Sequence, residues 1–124
     1  MNFHKFDYID RRQSSQFDFI RIPKAMMVSD GIFSELSVQA KLVYGMLLDR
    51  MSVSLKNRWL DEQNRAYIIY PVKDIAEDLK ISLRKAIDYL TELENFGLIE
   101  KKQRGQGKPS IIYVKNFIYQ DPKG

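Results

Sequence analysis

From residue 72 to residue 118 the hydrophobic positions change period, and the change predicts a helix-turn-helix that carries a β-hairpin wing. Ile75, Ala76 and Leu79 stand three and four residues apart and share one face of a short helix that includes Asp74. Lys80, Ile81 and Ser82 interrupt it, and the Ser82 hydroxyl is an N-cap for a second helix. There Leu83, Ala86, Ile87, Leu90 and Leu93 form one apolar stripe at about 100° per residue, and Gly97 ends the helix as its C′ residue. Two strands follow, 98–103 and 110–116, joined by a basic tip of Arg104, Gly105, Gln106, Gly107, Lys108 and Pro109.

Upstream, Leu36, Ala40, Val43, Tyr44, Leu47, Leu48 and Met51, flanked by Met46, mark the longest helix, capped by Ser37 and buried on most of its girth. Gly45 in mid-helix costs about 1 kcal/mol relative to alanine, so close packing is expected there, by another helix. Asp49 and Arg50 are expected to pair with each other at the core margin. Met26, Met27 and Val28 read as a helical turn that stops at Asp30 and Gly31. Residues 17–22 are extended, with Phe17 and Phe19 alternating with polar neighbours and Pro23 keeping Ile22 out of the α region. Arg21 and Lys24 beside that proline read as solvated cations of a strand end, with a phosphate contact as the alternative. Residues 52–64 are polar apart from Val53, Leu55, Trp59 and Leu60. Trp59 anchors this loop, and a turn at 61–64 leads to a third strand, 66–70, in the middle of the wing sheet.

The first 16 residues intersperse Phe3, Phe6, Tyr8 and Ile9 with charges, too many large apolar groups for a solvated tail. This arm packs on its own domain as an edge strand, reaches a second subunit, or is disordered. Residues 17–118 make one domain, and 119–124 begin a linker. A chain of 124 residues with 44% hydrophobic content builds a single core. Its net charge of +4 and pI near 9.3 point to an anionic partner.

Several chemistries are excluded. With no cysteine and the single His4, no disulfide, thiolate metal site, thiol nucleophile or histidine zinc cluster can be assembled. Asp61 and Glu62 are adjacent and diverge in any regular backbone, so they do not form an acid/base pair. There is no phosphate-binding loop or dinucleotide fingerprint, no cofactor is implied, and the domain does not read as an enzyme. No apolar run approaches the roughly 20 residues of a membrane span, and no signal peptide is visible, which points to the cytoplasm.

The face of the second helix opposite Leu90 carries Arg84, Lys85, Asp88, Glu92 and Asn95, with Ser82 at its start and Tyr89 on its flank. Cations come first and acids later, the reverse of what the helix dipole favours. A recognition helix enters the major groove with its N-terminal residues, and there cations meet phosphates or guanine edges. Lys101, Lys102, Arg104 and Lys108 of the wing add to this surface. The candidate DNA-binding set is therefore Ser82, Arg84, Lys85, Asp88 and Tyr89 with Lys101, Lys102, Arg104, Gln106 and Lys108. One such helix reads only a few base pairs, so a homodimer on a symmetric site is expected.

These blocks carry a resemblance. Lys85-Ala86-Ile87, Leu90, Leu93-Glu94 and Gly97-Leu98-Ile99-Glu100, then the tip from Arg104 to Pro109 and the run from Ile112 to Phe117, resemble the N-terminal domain of the RepA_N family of plasmid replication initiators. Arg21-Ile22-Pro23-Lys24, the blocks from Leu36 to Met51, and Asn57, Trp59, Asp61, Arg65 and Tyr67-Ile68-Ile69-Tyr70 fit the same family, so the resemblance spans residues 17–118. Where such proteins usually have glycine before the mid-chain arginine this sequence has Asn64, a residue that also tolerates the left-handed conformation. The resemblance implies an α+β winged helix-turn-helix with a small antiparallel wing. It implies sequence-specific binding of double-stranded DNA at repeated sites of a plasmid origin, and contacts to host replication proteins through a C-terminal domain beyond this chain. A winged-helix transcriptional regulator and a winged-helix protein-interaction module are the alternatives.

Overall fold

The computed structural model describes residues 5, 6, 8, 9 and 18–118; the remainder of the expected N-terminal arm and the expected linker at 119–124 lie outside the described residues. A 3-10 turn, Lys24–Met27, precedes three helices, α1 (Val38–Lys56), α2 (Val72–Leu79) and α3 (Leu83–Phe96), and two strands, β1 (Ile99–Lys102) and β2 (Ile111–Val114). β1 and β2 pair antiparallel with Ile99 opposite Val114 and Lys102 opposite Ile111. This is a winged helix-turn-helix of the α+β class, with the wing built directly onto the end of α3.

One core joins the elements. Ala40, Val43, Tyr44 and Leu47 of α1, Ile75 and Ala76 of α2, and Ala86, Leu90 and Leu93 of α3 are buried with Ile68, Leu98, Ile99 and Ile112. Each large aliphatic group among them adds about 1.5–3 kcal/mol by leaving water. The Tyr44 hydroxyl donates to the Lys115 carbonyl at 2.7 Å, and burial pushes its pKa up to about 12. Phe33 stacks on Phe96 with centroids 5.6 Å apart, closing the C-terminal end of α3.

The helix boundaries follow local chemistry. The Ser37 hydroxyl accepts from the Ala40 amide at 3.1 Å, and that of Ser82 accepts from Lys85 at 3.1 Å, the two expected N-caps. Lys80 takes the left-handed conformation between α2 and α3 at φ 57°, and the Ile81 amide donates back to the Ala76 carbonyl at 3.0 Å. Gly97 ends α3 at φ 100°. Asn64 is left-handed at φ 61°, as its side chain allows.

Five expectations are corrected. α1 continues past Met51 to Lys56, because Ser54 is buried and its hydroxyl donates to the Tyr67 carbonyl, docking the added turn on the following segment. The third strand at 66–70 is reduced to isolated bridges, Leu60 with Ala66 and Ile68 with Ile112. The ladder stops because Tyr67 sends its amide to Trp59 and its carbonyl to Ser54, while Pro71 has no amide and opens α2. The neighbour of Gly45 is the extended segment 20–22 rather than a helix. A Cβ there would lie 3.1 Å from the Arg21 carbonyl oxygen and 3.2 Å from Ile20 Cγ2.

Arg50 pairs with Asp78 at 4.0 Å rather than with Asp49, and its guanidinium lies 4.1 Å from the centre of the Tyr70 ring. Adjacent helical residues point about 100° apart, so Asp49 and Arg50 diverge, whereas the aromatic face and α2 are within reach of Arg50. The fifth correction concerns α3. Only Ala86, Leu90 and Leu93 of its stripe are buried, while Leu83 and Ile87 are 53% and 37% exposed.

Candidate nucleic-acid interface

The buried trio of α3 sets the direction of its free face. Ala86 and Leu93 lie on one side of Leu90 at 100° per residue, so the inward direction is displaced by roughly 30° from Leu90. The opposite side then carries Arg84, Asp88, Thr91 and Asn95, with Ile87 at its edge, and all of these are exposed; Leu83, about 50° from the inward direction, is exposed at the first turn of the helix. Arg84 Nε lies 3.4 Å from Asp88 Oδ1 one turn on, and the Arg84 side chain is 83% exposed. Lys85 is exposed and Tyr89 is half-buried against the core. The Ser82 hydroxyl is engaged as the cap.

Glu92 is drawn away from this face. Its carboxylate accepts from the Ser37 amide at 2.6 Å and from the Ser37 hydroxyl at 2.7 Å, so an acid on α3 holds the N-terminus of α1. Thr91 takes the outward place, and its signal in the sequence was its position one turn beyond Ile87 and Asp88.

The wing is tied to the same helix. The Lys101 amide donates to Glu94 Oε2 at 3.2 Å. Along β1 only Ile99 is buried, and Glu100, Lys101 and Lys102 are exposed, while β2 supplies the inner layer with Ile111, Ile112 and Tyr113. At the tip Gly105 and Gly107 have φ 96° and 78°, which a side chain would strain, and Gln106 and Lys108 are exposed beside them. Arg104 differs: half-buried, it donates from Nε to the Pro109 carbonyl at 3.1 Å and lies 5.6 Å over the Tyr67 ring.

Behind the tip, a polar cleft of about 540 Å³ separates the wing from the turn at 60–67. Asp61 organises that turn. It accepts from the amides of Gln63 and Arg65 at 2.8 Å each, from Arg65 Nε at 2.9 Å and from the Tyr113 hydroxyl at 2.9 Å. Partial burial pushes its carboxyl up, but these donors outweigh burial and hold it well below the usual carboxylate range. The same bond raises the Tyr113 hydroxyl, and the Arg65 guanidinium sits 4.8 Å over the Tyr113 ring. On the other side of the core, burial and then Asp78 push Tyr70 up to about 12.

Residues 18–123 match the family described as Replication initiator protein A (RepA) N-terminus, RepA_N. The chain belongs to this family. It is similar to a solved structure described as the N-terminal domain of a DNA binding protein, with 31% identity and a TM-score of 0.75, covering 94% of this chain and 88% of that one. A structure of a Rep-DNA complex matches at 31% identity and a TM-score of 0.74, over 93% of this chain and 88% of its own. A structure of an MDR initiator matches at 28% identity and a TM-score of 0.69, over 89% and 86%. A 41 kDa protein of Lactobacillus helveticus is 27% identical over 110 residues, which make up 84% of this chain and 31% of that protein. The chain thus spans about a third of the length of that relative.

On this RepA_N domain the expected site residues fall into two groups. Arg84, Lys85, Asp88, Lys101, Lys102, Gln106 and Lys108 are exposed, on the free part of α3, along β1 and at the tip. Ser82, itself exposed, is engaged as a cap, while Tyr89 and Arg104 are half-buried, held by core packing and over an aromatic ring respectively. Among the described residues no three His, Cys, Asp or Glu side chains are grouped to hold a metal ion, and no helix is long and apolar enough to cross a membrane.

Proposed function

We propose that this chain binds double-stranded DNA sequence-specifically at the repeated sites of a plasmid replication origin and thereby marks the origin for replication. The observation that carries the reading is the free, cation-bearing N-terminal half of α3, joined through Glu94 to a wing whose outer strand bears Lys101 and Lys102. A helix so exposed at its capped end suits the major groove, and a lysine-bearing hairpin beside it suits the phosphate backbone. Family membership and the similarity to a Rep-DNA complex support the same reading. Arg84 and Lys85 take base edges and phosphate; Lys101, Lys102, Gln106 and Lys108 follow the backbone; Ser82 and Tyr89 position the helix, and Arg104 braces the tip while adding charge. The activity is binding without a catalytic step or cofactor, in the cytoplasm.

The DNA-binding domain in this reading is 17–118, and 119–124 lead to a C-terminal domain that meets host replication proteins. Two copies act together, because Tyr8 and Ile9 of the arm are 98% and 77% exposed and one α3 reads too few base pairs to find an origin. A twofold pair predicts an inverted repeat with half-site centres about one helical turn, roughly 34 to 36 Å, apart.

Footprinting on plasmid DNA that includes the chain's own coding region tests the reading. Protected repeats support it, whereas uniform weak protection with little salt dependence favours a protein-interaction module. Sedimentation with and without residues 1–16, free and on one site, tests the pair. One monomer per site in every state would remove it.

A further inference from the structure

Leu83 and Ile87 have the character of core residues and stand outside the core. They are 53% and 37% exposed and one helical turn apart, Ile87 at the edge of the face that carries Arg84 and Leu83 at the open first turn of the helix. The buried residues of α3 are Ala86, Leu90 and Leu93, and Tyr89 packs half-buried against the same core. Their surroundings identify what they meet. Arg84 and Lys85 stand next to Leu83 in the chain, and Arg84 is 83% exposed, a setting that favours a polyanion over an apolar protein surface. In the major groove of DNA the apolar feature on the base edges is the 5-methyl group of thymine.

We propose that Leu83 and Ile87 are specificity-determining residues that cover thymine 5-methyl groups in the bound site, while Arg84 takes a hydrogen-bonding base edge beside them. The inference rests on the major-groove placement of α3 given under the proposed function. Four residues advance a helix by about 6 Å, and bases on one strand are spaced by about 3.4 Å, so the two methyls lie about two base steps apart when the helix follows the groove. Thr91, the next exposed residue along this face, brings a further methyl and a hydroxyl to the following turn.

The test replaces thymine by deoxyuridine, which keeps every hydrogen-bonding group and removes the methyl. A preferred site is first selected from a random duplex pool with the unaltered chain, and each thymine is then replaced in turn. Two replacements, about two base steps apart in each half-site, should weaken binding about three- to fivefold, the effect of burying one methyl. One penalty should vanish in Leu83→Ala and the other in Ile87→Ala, because the methyl then has no partner to lose. Both side chains are exposed, so both variants keep the fold, which circular dichroism checks. Replacements that are silent everywhere, or penalties unchanged in both variants, overturn the proposal. Replacing guanine by 7-deazaguanine separates the two readings: a penalty there with silent thymines leaves α3 in the groove and removes only the methyl contacts. A pool that yields no preferred sequence overturns both.

Discussion

Arg84 and Arg104 carry the same charge at two ends of the cationic surface, and their surroundings give them opposite freedom. Among the described residues Arg84 meets only Asp88, at 3.4 Å in an exposed pair of the kind that contributes about 0.3–0.5 kcal/mol, so another partner displaces that contact at little cost. Arg104 is held by the Pro109 carbonyl and the Tyr67 ring, and moving it undoes the tip of the wing. Arg65 over Tyr113 and Arg50 over Tyr70 repeat the second pattern. Among these four arginines the three that lie over an aromatic ring are held in place and the one without a ring is available, because the flat guanidinium stacks where an ammonium stays hydrated.

The largest effect is expected at Arg84. Arg84→Ala should cost about 1 to 3 kcal/mol of binding to the preferred site and relax the preference at one base position, with thermal unfolding nearly unchanged. Binding isotherms and a melting curve check both halves; unaltered affinity would mean that freedom at the surface does not mark a contact. Next is the pair Lys102→Ala with Lys108→Ala, which should lower the slope of log K against log salt by about one to two, equally on specific and random DNA. An unchanged slope would take the wing out of the interface.

Arg104→Ala should act on stability first. Loss of the ring contact and the bond to Pro109 should lower unfolding free energy by about 1 kcal/mol, read by urea denaturation, with a salt slope that falls by less than one. Arg104→Lys should restore the slope and not the stability. A slope that fell as far as for the lysine pair, with stability intact, would erase the contrast with Arg84.

The smallest and most conditional effect is at Asp61. Its folded pKa lies below that of the unfolded chain, near 3.9, so its contribution is complete above that pH and is lost as pH falls through the folded value. Asp61→Asn should lower the urea midpoint at pH 7, and the gap to the unaltered chain should narrow from about pH 4 downward. A gap that is constant with pH would show that the four donors do not favour the charged form.

Much of this design is legible in the chain because it is local. The caps at Ser37 and Ser82, the stop at Gly97 and the left-handed Asn64 each depend on one residue and its next three or four neighbours. The wing follows from two short strand-forming runs and a glycine tip. What sequence spacing leaves open is rotation and partner choice. A stripe of five apolar positions allows α3 to turn by a few tens of degrees, and only packing against α1 and α2 selects Ala86, Leu90 and Leu93 and leaves Leu83 and Ile87 outside.

Sequence by itself thus determined the order of elements, the helix-turn-helix with its wing and the basic half of α3, since periodicity and capping act within a few residues. Tertiary structure alone decided that Glu92 holds Ser37 across 55 residues, that Asp61 holds Tyr113 across 52, and that Ile68 meets Ile112 as one pair instead of a strand. The same carboxylate, ring or amide has many partners of equal chemistry along the chain. Only the packed core, by fixing distances to within a hydrogen bond, chooses one.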